Sequence, residues 1–187
     1  DRMIREGKID FAGSARQRFA DPEWANKAKE GRVDEIRRCI SCLHCMETLM
    51  GADITGGSAE CAINIQSGRE GEYSDFRKDG QGRRVAIIGA GPAGLEAARV
   101  LALREFKPII LEKTDELGGQ LQLANKAPKK EKIDWLINYL KVQAEKLGVE
   151  IRYNTAASIE ILKEIDPYAV FVAHGGNPLV PQSIAGT

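Results

Sequence analysis

The chain has 187 residues, 27 basic and 27 acidic side chains, and a 43% apolar fraction. That length holds one full domain, or one domain with appendages. The balanced charge points away from a nucleic-acid partner, and no apolar run reaches the length of a membrane-spanning helix. The start, Asp1-Arg2-Met3-Ile4, reads as the middle of a helix, and no signal peptide is recognised there. Four cysteines, three of them clustered, suggest a metal site in a reducing compartment rather than a disulfide framework, so a cytoplasmic location is expected.

Residues 1–38 are basic and mixed. Asp10 to Gly13 reads as a short strand, and Ser14 as the cap of a helix running to about Ala20. Asp21-Pro22-Glu23 then opens a second helix, which Gly31 ends. Val33 to Arg38 makes a short helical turn toward the cysteines. Phe11, Phe19 and Trp24 have no core of their own here and need something else to pack against.

Residues 39–68 carry the first chemical signal. Cys39, Cys42, Cys45 and Cys61 have the spacing C-x2-C-x2-C-x15-C. Three close thiolates can grip three corners of an iron–sulfur cube, and a distant fourth can close it. Four thiolates also make a tetrahedral zinc site, although zinc more often pairs its cysteines two and two. His44, between ligands, reads as a solvent-facing or neighbouring residue. Gly51 to Ser58 is expected as a mobile loop, and the charged residues 69–83 as a linker.

The second signal is the stretch from Arg84 to Gln120. Val85 to Ile88 has the apolar, β-branched make-up of a strand buried on both faces. Gly89-Ala-Gly91-Pro92-Ala93-Gly94 follows at once. Gly89 permits a tight turn, Gly91 lets a pyrophosphate approach the backbone, and Gly94 lets the helix lie close to the sheet. Pro92 suits a first helical turn, and the helix N-terminus offers free N–H groups to phosphates. A second strand, Pro108 to Leu111, ends in Glu112, where an acid that holds the adenosine ribose is expected. Lys113 follows it. Gly118 and Gly119 allow the backbone to bend close to a ligand. Gln120 either offers its amide to the ligand or is a plain surface residue.

Residues 129–147 read as a helix with Ile133, Leu136, Ile137, Leu140, Ala144 and Leu147 on one side. Gly148 stops it. Trp135 and Tyr139 are expected to pack against another element rather than a cofactor. Val149 to Tyr153 is a third strand and Ser158 to Lys163 a short helix. Tyr168 to Ala173 is a fourth strand, buried by its composition, and it ends at His174-Gly175-Gly176. The tail from Pro178 is non-periodic. The fold class is therefore α/β: a Rossmann-like parallel sheet with helices on both faces, preceded by a cysteine-rich segment.

The order of these features resembles the iron–sulfur flavoproteins of the old yellow enzyme superfamily, such as 2,4-dienoyl-CoA reductase, trimethylamine dehydrogenase and related NADH:flavin oxidoreductases. Lys8 to Arg16, with Phe19 to Pro22, resembles the end of that family's FMN-binding TIM barrel. The four cysteines match its 4Fe–4S ligands, and Val85 to Gly94, Glu112 and Gly118 to Gln120 match its FAD domain. The resemblance implies three regions: a barrel remnant at 1–38, a cluster segment and linker at 39–82, and an incomplete FAD domain at 83–187. It implies that Arg16 meets the FMN phosphate where the barrel is present. It implies an electron relay from NAD(P)H through FAD (or a site holding only ADP) and the cluster to FMN, which reduces an activated carbon–carbon double bond.

Two departures stand out. The gap before Cys61 is a few residues longer than the family's, and His174 stands where a Thr is usual. The chain reads as a fragment, inactive by itself, with residues 1–38 expected to lose the barrel geometry and to be disordered, helical or paired with another copy. Partners are a small-molecule substrate and a nicotinamide nucleotide, with a homo-oligomer possible. Two other readings remain: a module like the small subunit of glutamate synthase, and a non-catalytic, zinc-stabilised dinucleotide-binding module.

Overall fold

A computed structural model describes residues 2–176 and Ser183. The tail from Pro178 otherwise lies outside the described residues. The first third is short helices: α1 (Arg2–Arg5), α2 (Arg16–Ala20), α3 (Trp24–Lys29), a 3-10 turn (Val33–Glu35), α4 (His44–Thr55) and α5 (Glu70–Tyr73). Then come β1 (Arg84–Ile88), α6 (Pro92–Leu103), β2 (Lys107–Leu111), α7 (Leu121–Ala124), α8 (Lys132–Lys146), β3 (Glu150–Arg152), α9 (Ile159–Ile165) and β4 (Ala169–Val172).

The four strands are all parallel, in the order β3-β2-β1-β4. The chain moves outward from β1 to β2 to β3, then crosses back to place β4 on the other side of β1. That reversal puts a topological switch point at the carboxyl ends of β1 and β4, where open α/β sheets bind ligands. The period-two alternation of a strand sorts the core into two layers. Val85, Ile87 and Ile110 pack with Leu95 and Ala98 of α6 and Leu136, Tyr139 and Leu140 of α8. Ile109 and Leu111 point the other way, onto Ile161, Leu162 and Ile165 of α9. Ser158 caps α9 by accepting from the Ile161 N–H at 3.3 Å.

Several expectations fail. Neither Ser14 nor Asp21 caps a helix: α2 begins after Ala15 and α3 after Glu23, both without a side-chain cap. Residues 10–14 form no strand, and Phe11 is 91% exposed. A lone strand has no ladder to satisfy its backbone groups, so the segment stays irregular. The Gly-rich stretch from Gly51 is not a loop: α4 runs through Gly51 as far as Thr55 and ends at Gly56 in the left-handed region. One glycine costs a helix about 1 kcal/mol, too little to break twelve residues. Lastly, β4 is exposed along its length, with Val172 at 61%. Apolar composition shows that a strand can be buried, but burial also needs a neighbour, and β4 pairs only with β1.

The linker is not free either. The N–H groups of Gly80 and Gly82 donate to the carbonyls of Arg104 and Glu105, each at 2.8 Å. A Cβ on Gly80 would lie 2.2 Å from the Glu105 carbonyl carbon, so only glycine permits this docking. Among the described residues, no helix is long and apolar enough to cross a membrane.

Candidate functional site

The glycine-rich turn leaves β1 as the motif requires. Gly89 has φ 102°, and a Cβ there would meet the Ala173 carbonyl oxygen at 2.6 Å. Gly94 is packed tighter: its Cβ would sit 2.0 Å from the Gly89 oxygen. Gly91 differs from both, since a Cβ on it would meet nothing within 4 Å. The open space lies at the N-terminus of α6, where Pro92 and Ala93 are exposed. This is the place for an anion: unpaired N–H groups, the positive end of a twelve-residue helix, and no side chain in the way.

The backbone at Gly118 and Gly119 closes over this turn. The Gly118 N–H donates to the Ala90 carbonyl at 2.9 Å, and a Cβ on Gly119 would touch Gly91 Cα at 3.0 Å. Both glycines have positive φ. Gln120 reaches in the other direction, donating from its amide to the Gly176 carbonyl at 2.7 Å. It thus ties this loop to the loop after β4, a bond that the sequence did not reveal. His174 is exposed, with its Cα 3.1 Å from where a Gly89 Cβ would stand.

Glu112 sits where the ribose acid was expected, yet its carboxylate already holds protein. Oε2 accepts from the Ala90 N–H at 2.7 Å, and Oε1 accepts from the Thr114 N–H and hydroxyl, both at 2.9 Å. A carboxylate has about four acceptor sites. One, on Oε2, remains for a ribose hydroxyl. Burial pushes the Glu112 carboxyl up, but the donors from Ala90 and Thr114 outweigh it and hold it below the ordinary carboxylate range. Glu112 therefore shapes the turn and keeps one acceptor site free of protein donors. Lys113 beside it is exposed.

The cysteine segment wraps against the same unit. Ser41 and Leu43 both take positive φ, which coils the chain tightly between Cys39, Cys42 and Cys45. The Ser41 N–H points at Cys39 Sγ at 3.4 Å. Cys61 lies in a turn bridged to Asn64. Burial pushes its thiol up, opposed by the N–H groups of Ile63 and Asn64. All four cysteines are free thiols. Among the described residues, no three His, Cys, Asp or Glu side chains converge on one metal-ion position. A single zinc ion needs four ligands at about 2.3 Å from one point; a cube takes each thiolate on a different iron and so needs no common point. The four thiols are free to bind soft metal ions, and the structure itself brings no three of them to a common point.

Ile40 and Ile63 pack on the core of the nucleotide unit. Lys132 donates to the Ser41 hydroxyl at 2.9 Å, and the guanidinium groups of Arg37 and Arg38 lie over Tyr139 and Trp135 at 5.1 and 5.3 Å. The two α8 aromatics thus pack on the cysteine segment, as expected. A crevice of about 300 Å³ runs between the Cys61 turn and the start of α6, lined by Cys61, Ile63, Pro92, Glu96, Leu136 and Leu140. Arg16 is exposed at the start of α2. Its neighbour Gln17 accepts from the Cys39 N–H at 3.0 Å and donates to the Arg37 carbonyl at 2.9 Å, which ties α2 to the start of the cysteine segment.

A polar cluster that sequence reasoning missed holds residues 17–38 in place. Asp21, only 4% exposed, accepts from the Arg37 and Glu23 N–H groups and from the Lys27 ammonium at 2.7 Å. Asn64 donates to the Phe19 carbonyl at 2.9 Å.

With the geometry in place, relatives can be set beside it. Residues 87–147 match the family model of the NAD(P)-binding Rossmann-like domain. The chain is 39% identical over 97% of its length to an NADH oxidase from Thermoanaerobacter brockii, of which it covers 28%. It is 38% identical over 94% of its length to a cinnamate reductase from Clostridium sporogenes, of which it covers 26%. A solved 2-naphthoyl-CoA reductase superposes with a TM-score of 0.88 at 31% identity, over 97% of this chain and 27% of that one. The chain is thus homologous, over nearly all of its own length, to one part of these NADH oxidase-like and reductase-like proteins. It spans roughly a quarter of the length of the relatives it matches.

Proposed function

We propose that this chain is the cluster-and-nucleotide portion of an NAD(P)H-dependent flavin oxidoreductase that reduces an activated carbon–carbon double bond. The observation that carries the reading is the shared crevice: Cys61 and the first turn of α6 line one space. A metal-thiolate group and a dinucleotide placed there are neighbours, as an electron relay requires.

The residues divide the work. Gly89, Gly91, Pro92, Ala93 and Gly94 hold a diphosphate on the N-terminus of α6. Glu112 fixes the turn through Ala90 and keeps one acceptor for ribose; a carboxylate there repels a 2′-phosphate on the bound nucleotide. Lys113 adds a positive charge beside it. Gly119 brings the backbone close, and Gln120 links the loops on either side. Cys39, Cys42, Cys45 and Cys61 hold the cluster. Arg16, exposed at the start of α2, pairs with the FMN phosphate in the complete protein. FAD, FMN and a 4Fe–4S cluster, when bound, supply the conversion between hydride and single-electron transfer.

Full-length protein with Cys61→Ser tests the reading. Under anaerobic stopped flow, NAD(P)H is expected to bleach one flavin at the wild-type rate and the second far more slowly. If both flavins are reduced at the wild-type rate, the cysteines play no part in the relay.

A further inference from the structure

Arg37 is 7% exposed, yet its guanidinium meets only neutral acceptors: the Ile63 carbonyl at 2.7 Å and the Asn64 side-chain oxygen at 3.0 Å. Its Nε is buried without a partner. Asp21 is nearby, but its carboxylate takes the Arg37 main-chain N–H and pairs with Lys27. Among the described residues, no carboxylate forms an ion pair with the guanidinium. A buried charge without a counter-charge is costly.

Its placement suggests the missing counter-charge. Arg37 precedes Cys39 by two residues. Its two acceptors lie in the Cys61 turn, where the Asn64 N–H donates to the Cys61 carbonyl at 3.3 Å. The guanidinium therefore joins both arms of the thiol set and is held flat over Tyr139 of α8. Thiolates bound to iron carry net negative charge, and a fixed cation beside them is balanced by it. We infer that Arg37 is a positioning residue for the four-thiolate group: it fixes the Cys61 turn, and its charge raises the group's reduction potential. This rests on the reading that the cysteines hold an iron–sulfur cluster.

Full-length protein, purified without air, is assayed for iron and sulfide and titrated potentiometrically by electron paramagnetic resonance. Arg37→Gln keeps much of the shape and loses the charge. It is expected to retain iron and sulfide but to show a lower midpoint potential, because an added electron is no longer favoured by a nearby cation. Arg37→Lys keeps the charge and should stay near the wild-type potential. If Arg37→Gln fails to load while Arg37→Lys loads at the wild-type potential, the charge is again what matters. An unchanged potential in a loaded Arg37→Gln protein overturns the inference, and so does failure of both variants to load, which would make Arg37 scaffold alone. Wild-type protein without iron and sulfide overturns the cluster reading itself, and Arg37's role with it.

Discussion

Gly91 and Gly94, in the same glycine-rich turn, should respond differently to the same added methyl group. In Gly94→Ala the new Cβ would stand 2.0 Å from the Gly89 carbonyl oxygen, with Ile87 Cγ2 at 3.3 Å. Both are strand-side atoms without room to turn away, so the start of α6 must retreat by about 1 Å from the sheet it packs on. Overpacking of this kind costs about 1–3 kcal/mol, and the better helix propensity of Ala returns at most about 1 kcal/mol. A fall in Tm of about 2–6 °C is expected. In Gly91→Ala the backbone, at φ −70° and ψ 179°, suits any residue, and the methyl meets nothing. Stability should stay within about 0.5 kcal/mol. The methyl instead fills the space where the diphosphate approaches, so nucleotide affinity should fall by tenfold or more, about 1.4 kcal/mol. Thermal melts and equilibrium binding of ADP and FAD to the purified full-length variants separate the two effects. Gly91→Ala binding both nucleotides like wild type would refute the placement of the diphosphate. Gly94→Ala melting with wild type would refute the packing argument.

Other substitutions probe the supports of the site. Glu112→Gln turns a carboxylate with three donors into an amide with one oxygen, which should cost about 1–3 kcal/mol by chemical denaturation. Because the folded Glu112 carboxyl is held below its unfolded value, its contribution is complete above the ordinary carboxylate range and is lost as pH falls through the folded pKa. Wild type should therefore lose stability on acidification through and below the ordinary carboxylate range more steeply than Glu112→Gln, and parallel curves would count against it. Asp21→Ala strands a buried N–H on Arg37 and leaves Lys27 unpaired, which should cost about 2–4 kcal/mol in a denaturant melt. Gly80→Ala should undock the linker, seen as faster amide exchange at residues 80–83 while the strands stay protected; unchanged exchange would contradict the 2.2 Å contact.

The nucleotide unit was largely legible because its signals are local. Strand, glycines, helix and terminal acid lie within thirty or so residues, and each glycine's spacing states its own geometric need. The core-facing side of α8 followed from its helical spacing. What escaped was long-range. Nothing adjacent to Asp21 announces that it will accept the N–H of Arg37, nor anything near Asn64 that it will reach Phe19. Likewise, the apolar run of β4 records a capacity for burial, and only the topology shows which side has a neighbour. Glu112 does end β2 beside the glycine-rich turn, but three of its acceptor sites are taken by Ala90 and Thr114, a local bond pattern that spacing alone does not encode. At Gly51, glycine content outweighed the eleven other residues that favour continuing α4.

The most direct measurement is the cofactor content of full-length protein prepared anaerobically. About four iron and four sulfide per chain, together with flavin released on denaturation, are expected. Stoichiometric zinc with no sulfide, or protein free of flavin and adenine nucleotide, would contradict the proposed relay.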